Sequence, residues 1–123
     1  MKDLNLWILI GLGLLAFFVI KRSTLISADR ARTLFAAGAQ VIDVRSAGEF
    51  ASGHLPMASN IPLDEMGRCV PELIPDRNRV ILLHCLSGTR SGIGRVQLRR
   101  MGYTQVYNLG SLERARKLLS PQG

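Results

Sequence analysis

RVILLHCLSGTRSGIGRVQLRRMG, residues 79–102, is the stretch whose reading decides the fold. Arg79 to His84 is a β-branched and leucine-rich run of the length of a central parallel strand, buried on both faces. A helix is predicted from Ser91 to Met101, with Ile93, Val96 and Leu98 available for packing and Gly102 as its terminator. Cys85, Leu86, Ser87, Gly88, Thr89 and Arg90 therefore form a connection between the end of a strand and the start of a helix. Ligands of open α/β sheets bind at that edge.

Outward from this unit, short helical and strand patterns alternate with no internal repeat. Ser27 is a good N-cap for a helix that turns Ala28, Ala31, Leu34 and Phe35 inward, and Gly38 is placed to end it. Gln40 to Val44 reads as a buried strand. Ser46 and Glu49 have the spacing of a capping box, in which each satisfies a backbone donor of the other, and Gly53 closes the short helix it opens. A strand is expected around Asn60–Ile61. Pro71 and Pro75 interrupt residues 63–78, where short helical pieces and irregular structure are expected. Gln105 to Leu109 supplies a last strand and Ser111 to Leu119 a last helix. The class is α/β, a parallel sheet with helices on both faces.

The N-terminal segment differs in kind. Leu6 to Ile20 carries no charge, and Leu4-Asn5 extends it to about the minimum that spans a bilayer as a helix. Its apolar residues cover every face rather than one stripe, which suits lipid better than a protein core. Trp7 and Lys21-Arg22 stand where interfacial anchors belong. A cleaved signal peptide is the competing reading. It lacks small residues at a cleavage site, because Ile20-Lys21-Arg22 follows the apolar run. The expected organisation is an anchor over 1–22, with residues 4–20 in the membrane, and a globular domain over 23–123. Lys21, Arg22, Arg30 and Arg32 follow the span, against Lys2 partly offset by Asp3 before it. The positive-inside bias then puts the domain on the cytoplasmic side of an inner or plasma membrane.

The formal net charge is +7. Arg99, Arg100, Arg114, Arg116 and Lys117 are not interleaved with aromatics and accompany no recognition motif, so a solvated helix face beside an anionic membrane is expected rather than nucleic-acid binding. Two cysteines are too few for a disulfide scaffold. The scattered histidines and cysteines have no metal-ligand spacing, so no metal is expected.

A turn containing Gly88 can curl so that consecutive backbone N–H groups converge, forming an anion nest, and the following helix adds unpaired N–H groups and its positive dipole end. Both favour the thiolate of Cys85, making it nucleophilic near neutral pH. Arg90 can hold an incoming oxyanion through paired hydrogen bonds, or else brace the loop in a salt bridge.

Residues Cys85 to Ser91, with Val41-Ile42-Asp43-Val44-Arg45-Ser46 to Phe50 upstream, resemble the rhodanese homology domain. Gly53-His54-Leu55-Pro56, Ala58-Ser59-Asn60-Ile61-Pro62, and Gly102-Tyr103 leading to Val106-Tyr107-Asn108-Leu109-Gly110 extend the resemblance over nearly everything from Ser27 onward. It implies a rhodanese-like sheet and a two-step sulfur transfer. Cys85 takes sulfane sulfur from a small anionic donor such as thiosulfate and passes it to cyanide or a thiol, with a protein acceptor possible. Leu86, Ser87, Gly88, Thr89 and Arg90 cradle the persulfide, and no cofactor is implied. The pair Asp43 and Arg45 is expected to tie the strand-to-helix connection to neighbouring loops. Related cysteine phosphatases place five residues between cysteine and arginine. The four here, Leu86 to Thr89, make a smaller ring that suits one sulfur atom better than a phosphoryl group, which also weighs against arsenate reduction. A membrane-tethered persulfide carrier with little thiosulfate turnover is the alternative. Ser111 stands where the family often has a second glycine, and the tryptophan common in the following helix is absent. That leaves donor and acceptor open. His54 is expected to be a hydrogen-bonded loop residue, His84 to face away from Cys85, and Cys69 to be inert.

Overall fold

The structure, a computed structural model, describes residues 2–121. Met1 and residues 122–123, at the outer ends of the two expected segments, lie outside the described residues, as do the side chains of the Lys21-Arg22 anchor. Helix α1 runs Lys2–Ser23, and every residue from Lys2 to Ile20 is exposed. The sheet begins almost at once. Thr24 is the single residue between the helix and Leu25, which bridges Asn108 in parallel, and the Ile26 N–H donates to the Asn108 carbonyl at 3.0 Å.

Four parallel strands, β1 (Gln40–Asp43), β2 (Ser59–Asn60), β3 (Ile81–His84) and β4 (Val106–Gly110), lie in the order β2-β1-β3-β4. Because side chains alternate across a strand, the sheet divides the core in two. Ile42, Val44, Ile81, Leu83 and Cys85 point to one face, covered by α4 (Met66–Leu73) and α5 (Thr89–Arg100). Val41, Leu82 and Leu109 point to the other, covered by α2 (Ala28–Ala36) and α6 (Leu112–Leu119). The short helix α3 (Ala47–Ala51) follows β1.

Local signals act as expected at most boundaries. The Ser27 side chain accepts from the Arg30 N–H, Ser46 and Glu49 form the capping box, and Ser111 accepts from the Arg114 N–H to start α6. Residues 63–78 form the short helical pieces expected, a 3-10 turn at Leu63–Glu65 leading into α4, although Pro71 lies inside that helix rather than breaking it. Met66 and Val70, one turn apart, are both fully buried, and that burial outweighs the one hydrogen bond Pro71 cannot donate.

Helix α5 starts at Thr89 rather than Ser91, and Ile93 and Val96 do not pack inward: they are 55% and 45% exposed. Its buried positions are Ser91, Gly94 and Leu98. A Cβ on Gly94 would stand 3.0 Å from Met66 Sδ and 3.3 Å from Leu83 Cδ1, so the helix lies too close to its neighbours for a larger residue there. Close approach selects small residues at Ser91 and Gly94, and Leu98 one turn on is the large side chain that packs inward.

Candidate functional site

Strand β3 is buried throughout and delivers Cys85 to the sheet edge. The loop that follows is backed by the end of β4. The Cys85 N–H donates to the Gly110 carbonyl at 3.2 Å, the Leu112 N–H donates to the Leu86 carbonyl at 3.3 Å, and Ser87 bridges Ser111. Gly88 makes the turn with φ of 100°, and a Cβ there would lie 3.2 Å from Gly110 Cα, so conformation and space both require glycine. Its carbonyl lies within hydrogen-bond reach of the Gly92 N–H at 3.1 Å, Asn108 Nδ2 at 3.1 Å and Ser91 Oγ at 3.2 Å.

This pinned turn aims its donors at sulfur. The Gly88 N–H donates to Cys85 Sγ at 3.0 Å, and Ser91 Oγ lies 3.4 Å from it. The single hydroxyl proton of Ser91 serves either the sulfur or the Gly88 carbonyl. Helix α5 has Gly88 as N-cap, no side-chain cap and no acidic residue in its first turn. Its positive end therefore meets the sulfur rather than a carboxylate. Burial alone pushes the thiol up, but hydrogen bonds from the Ser91 hydroxyl and from the Ser91, Gly88 and Ser87 amides outweigh it and hold Cys85 below its usual value. The residue itself has no exposed surface.

The connection after β1 stands beside this loop and is built from side chains. Arg45 donates from Nε to both Asp43 carboxylate oxygens at 3.0 Å, and from Nη2 to Asp43 Oδ2 and the Gly53 carbonyl at 2.8 Å each. The Asp43–Arg45 pair thus ties the strand end to the loop closing α3. His84 is fully buried on the side of the sheet opposite Cys85. Its Nδ1 donates to the Cys85 carbonyl at 3.2 Å, and Nε2 lies 3.7 Å from Asp43 Oδ2 with no hydrogen-bond partner among the described residues. Burial lowers its pKa, opposed by the Asp43 charge.

Glu49 links the two connections. While capping α3, it receives Arg90 Nη1 at 2.6 Å and Nη2 at 2.9 Å. That fork, and behind it the Ser46 amide and hydroxyl, hold its carboxyl down at about 2. Arg90 is raised chiefly by Glu49, with smaller contributions from the Cys85 sulfur. Of the two roles open to Arg90, the brace is the one formed.

A shallow opening of about 480 Å³ beside Arg90 is lined by Val44, Ser46, Pro62, Leu63, Asp64 and Gln97.

The family model described as Rhodanese-like domain matches residues 27–114. The chain belongs to the rhodanese-like sulfurtransferase family. Thiosulfate sulfurtransferase PspE of Escherichia coli is 38% identical over 72 residues, covering 58% of this chain and 69% of that protein. A solved rhodanese with anions from E. coli is 35% identical with a TM-score of 0.60, over 63% of this chain and 91% of that one. The human single-domain sulfurtransferase TSTD1 is 28% identical with a TM-score of 0.66, over 79% and 98%.

Within this rhodanese fold, Cys85 and the Ser87 and Gly88 amides converge as the sequence reading expects. The Leu86 carbonyl accepts from the Leu112 N–H, which pins the loop to the end of β4, and the Leu86 side chain is exposed. Ser91 and Asn108 are two supports that sequence reasoning did not assign to the site. Both were signalled by polar residues inside buried elements: Ser91 has no exposed surface and Asn108 is 1% exposed. His54 stacks on Phe50 at 3.7 Å and donates from Nδ1 to its carbonyl, a loop role. Cys69 is half-buried against the α4 side of the core.

Proposed function

We propose that Cys85 is the sulfur carrier of a thiosulfate-type transferase tethered to an inner or plasma membrane. In the first step the Cys85 thiolate attacks the outer sulfur of thiosulfate, the S–S bond of the donor breaks, and sulfite leaves with the bonding pair, giving Cys85-S-S⁻. In the second, cyanide or a thiolate attacks the outer sulfur and the thiolate of Cys85 leaves. The observation that carries this reading is the Gly88 N–H at 3.0 Å from Sγ, with Ser91 behind it, on a helix whose first turn contains no acidic residue. The same donors serve the persulfide, whose charge sits about 2 Å further out, one S–S bond length.

Residues 1–22 act as the anchor and 23–123 as the domain facing the cytoplasm. This rests on the exposed apolar surface of α1 and on the basic residues that follow it in sequence.

The test uses the full chain in detergent. After thiosulfate, mass spectrometry of the Cys85 peptide should show one added sulfur, discharged by cyanide with formation of thiocyanate. An unmodified thiol, or a phosphate adduct from a phosphoryl donor, contradicts the reading. A second reading, a persulfide carrier with little free-thiosulfate turnover, is favoured by the closed site: Cys85 is fully covered and Arg90 is already committed to Glu49. Loading from a protein persulfide but not from thiosulfate would select it.

A further inference from the structure

Thr89, Ile93, Val96 and Arg100 recur at i, i+4, i+7 and i+11, which places them along one stripe of α5. Ile93 and Val96 are large, apolar and exposed there, the pattern that marks a contact surface when it is contiguous. The stripe forms one wall of a cavity of about 600 Å³, and the other wall is Phe17 and Ile20 of α1. Both helix residues are exposed as well. The surface is therefore continuous with the segment that the anchor reading places in lipid.

Chain length restricts the geometry further. One residue, Thr24, separates α1 from the bridge between Leu25 and Asn108, and Arg114 donates to the Ile26 carbonyl at 2.5 Å. A domain joined to a span by so short a connection stays against the membrane surface. Asn108 is also the residue whose side chain holds the Gly88 carbonyl, so the end of the domain next to the span is the end that carries the Cys85 loop. Gly88 and Thr89 line the same cavity. Charge agrees with an anionic surface: beyond Arg90, which Glu49 neutralises, α5 carries Arg95, Arg99 and Arg100 and no acidic residue, and Arg100 closes the stripe.

We propose that the Thr89–Arg100 stripe of α5 rests on the bilayer, with phospholipid chains filling the cavity between α1 and α5 and Arg100 at the anionic headgroups, so that the Cys85 loop works at the membrane surface. The inference builds on the anchor reading and adds that the domain has a fixed face toward lipid.

The test places the full chain in nanodiscs of phosphatidylcholine and phosphatidylglycerol with brominated acyl chains, which quench nearby indoles. Native Trp7 reports the span. In a Trp7→Phe background, V96W and I93W report the stripe, and K117W, on the helix across the sheet, is the control. Circular dichroism verifies that each variant is folded. The expected result is quenching at V96W and I93W several-fold stronger than at K117W. Quenching of Trp7 without quenching of either stripe indole overturns the inference and leaves the anchor standing. Absence of quenching at Trp7 removes the anchor and the inference with it. Stripe indoles shielded from aqueous iodide yet untouched by bromine show a protein partner on this face and overturn the lipid assignment.

Discussion

Two strand-to-helix connections stand side by side on this sheet, and they solve the same problem in opposite ways. After β1, side chains do the work: Asp43 takes Arg45, Ser46 and Glu49 cap α3, and the Glu49 charge is matched by Arg90 from across the gap. After β3, backbone amides face inward and α5 starts with no side-chain cap. The cysteine sulfur fills the place that a serine or carboxylate fills at α3. A connection whose donors are already matched is structural. One that leaves its donors to a single polarisable atom is prepared to stabilise charge on that atom.

Breaking the comparison at the sulfur has the largest expected effect. Cys85→Ser keeps an acceptor for the Gly88 amide but removes the nucleophile, so transfer should fall by about 10⁴-fold or more with the fold intact, as read by thiocyanate formation and circular dichroism. Gly88→Ala puts a Cβ 3.2 Å from Gly110 Cα at positive φ. It should lose about 10²-fold in kcat/KM and melt roughly 5 °C or more lower. Ser91→Ala removes one donor while two remain on the Gly88 carbonyl. Transfer at neutral pH should drop several-fold, because the thiol rises back toward its ordinary value when the hydroxyl donor is lost. Ser46→Ala sharpens the contrast from the other side. Loss of the α3 cap should cost about 1 kcal/mol in denaturant unfolding, while alkylation of Cys85 stays within about twofold of the parent.

The parallel strands and the capping box were legible because their signals are local: buried β-branched runs, and serine with glutamate at fixed spacing. The sulfur loop was legible from Gly88 and from the order of its residues. What escaped depends on contacts between distant segments. The Arg90–Glu49 fork joins residues 41 positions apart, and no local pattern announces it. Ile93 and Val96 were read as core because apolar residues at helical spacing usually are. Here Gly94 lets α5 settle against Met66 and Leu83, and the inner face is Ser91, Gly94 and Leu98. Pro71 suggested a break, but Met66 and Val70 bury enough apolar surface to hold α4 through it.

The most direct test of the central claim is the pH dependence of Cys85 alkylation, measured in a Cys69→Ser background so that one thiol reports. The folded-state value is lowered, so the thiolate's contribution to stability is complete above the unfolded thiol value. It is lost as the pH falls through the lower folded value. The alkylation rate should therefore turn over below the ordinary cysteine value of about 8.5, and stability should rise with pH across the same window. A midpoint at or above that ordinary value, with no gain in stability, would contradict the claim that the loop donors outweigh burial and hold this sulfur as an anion.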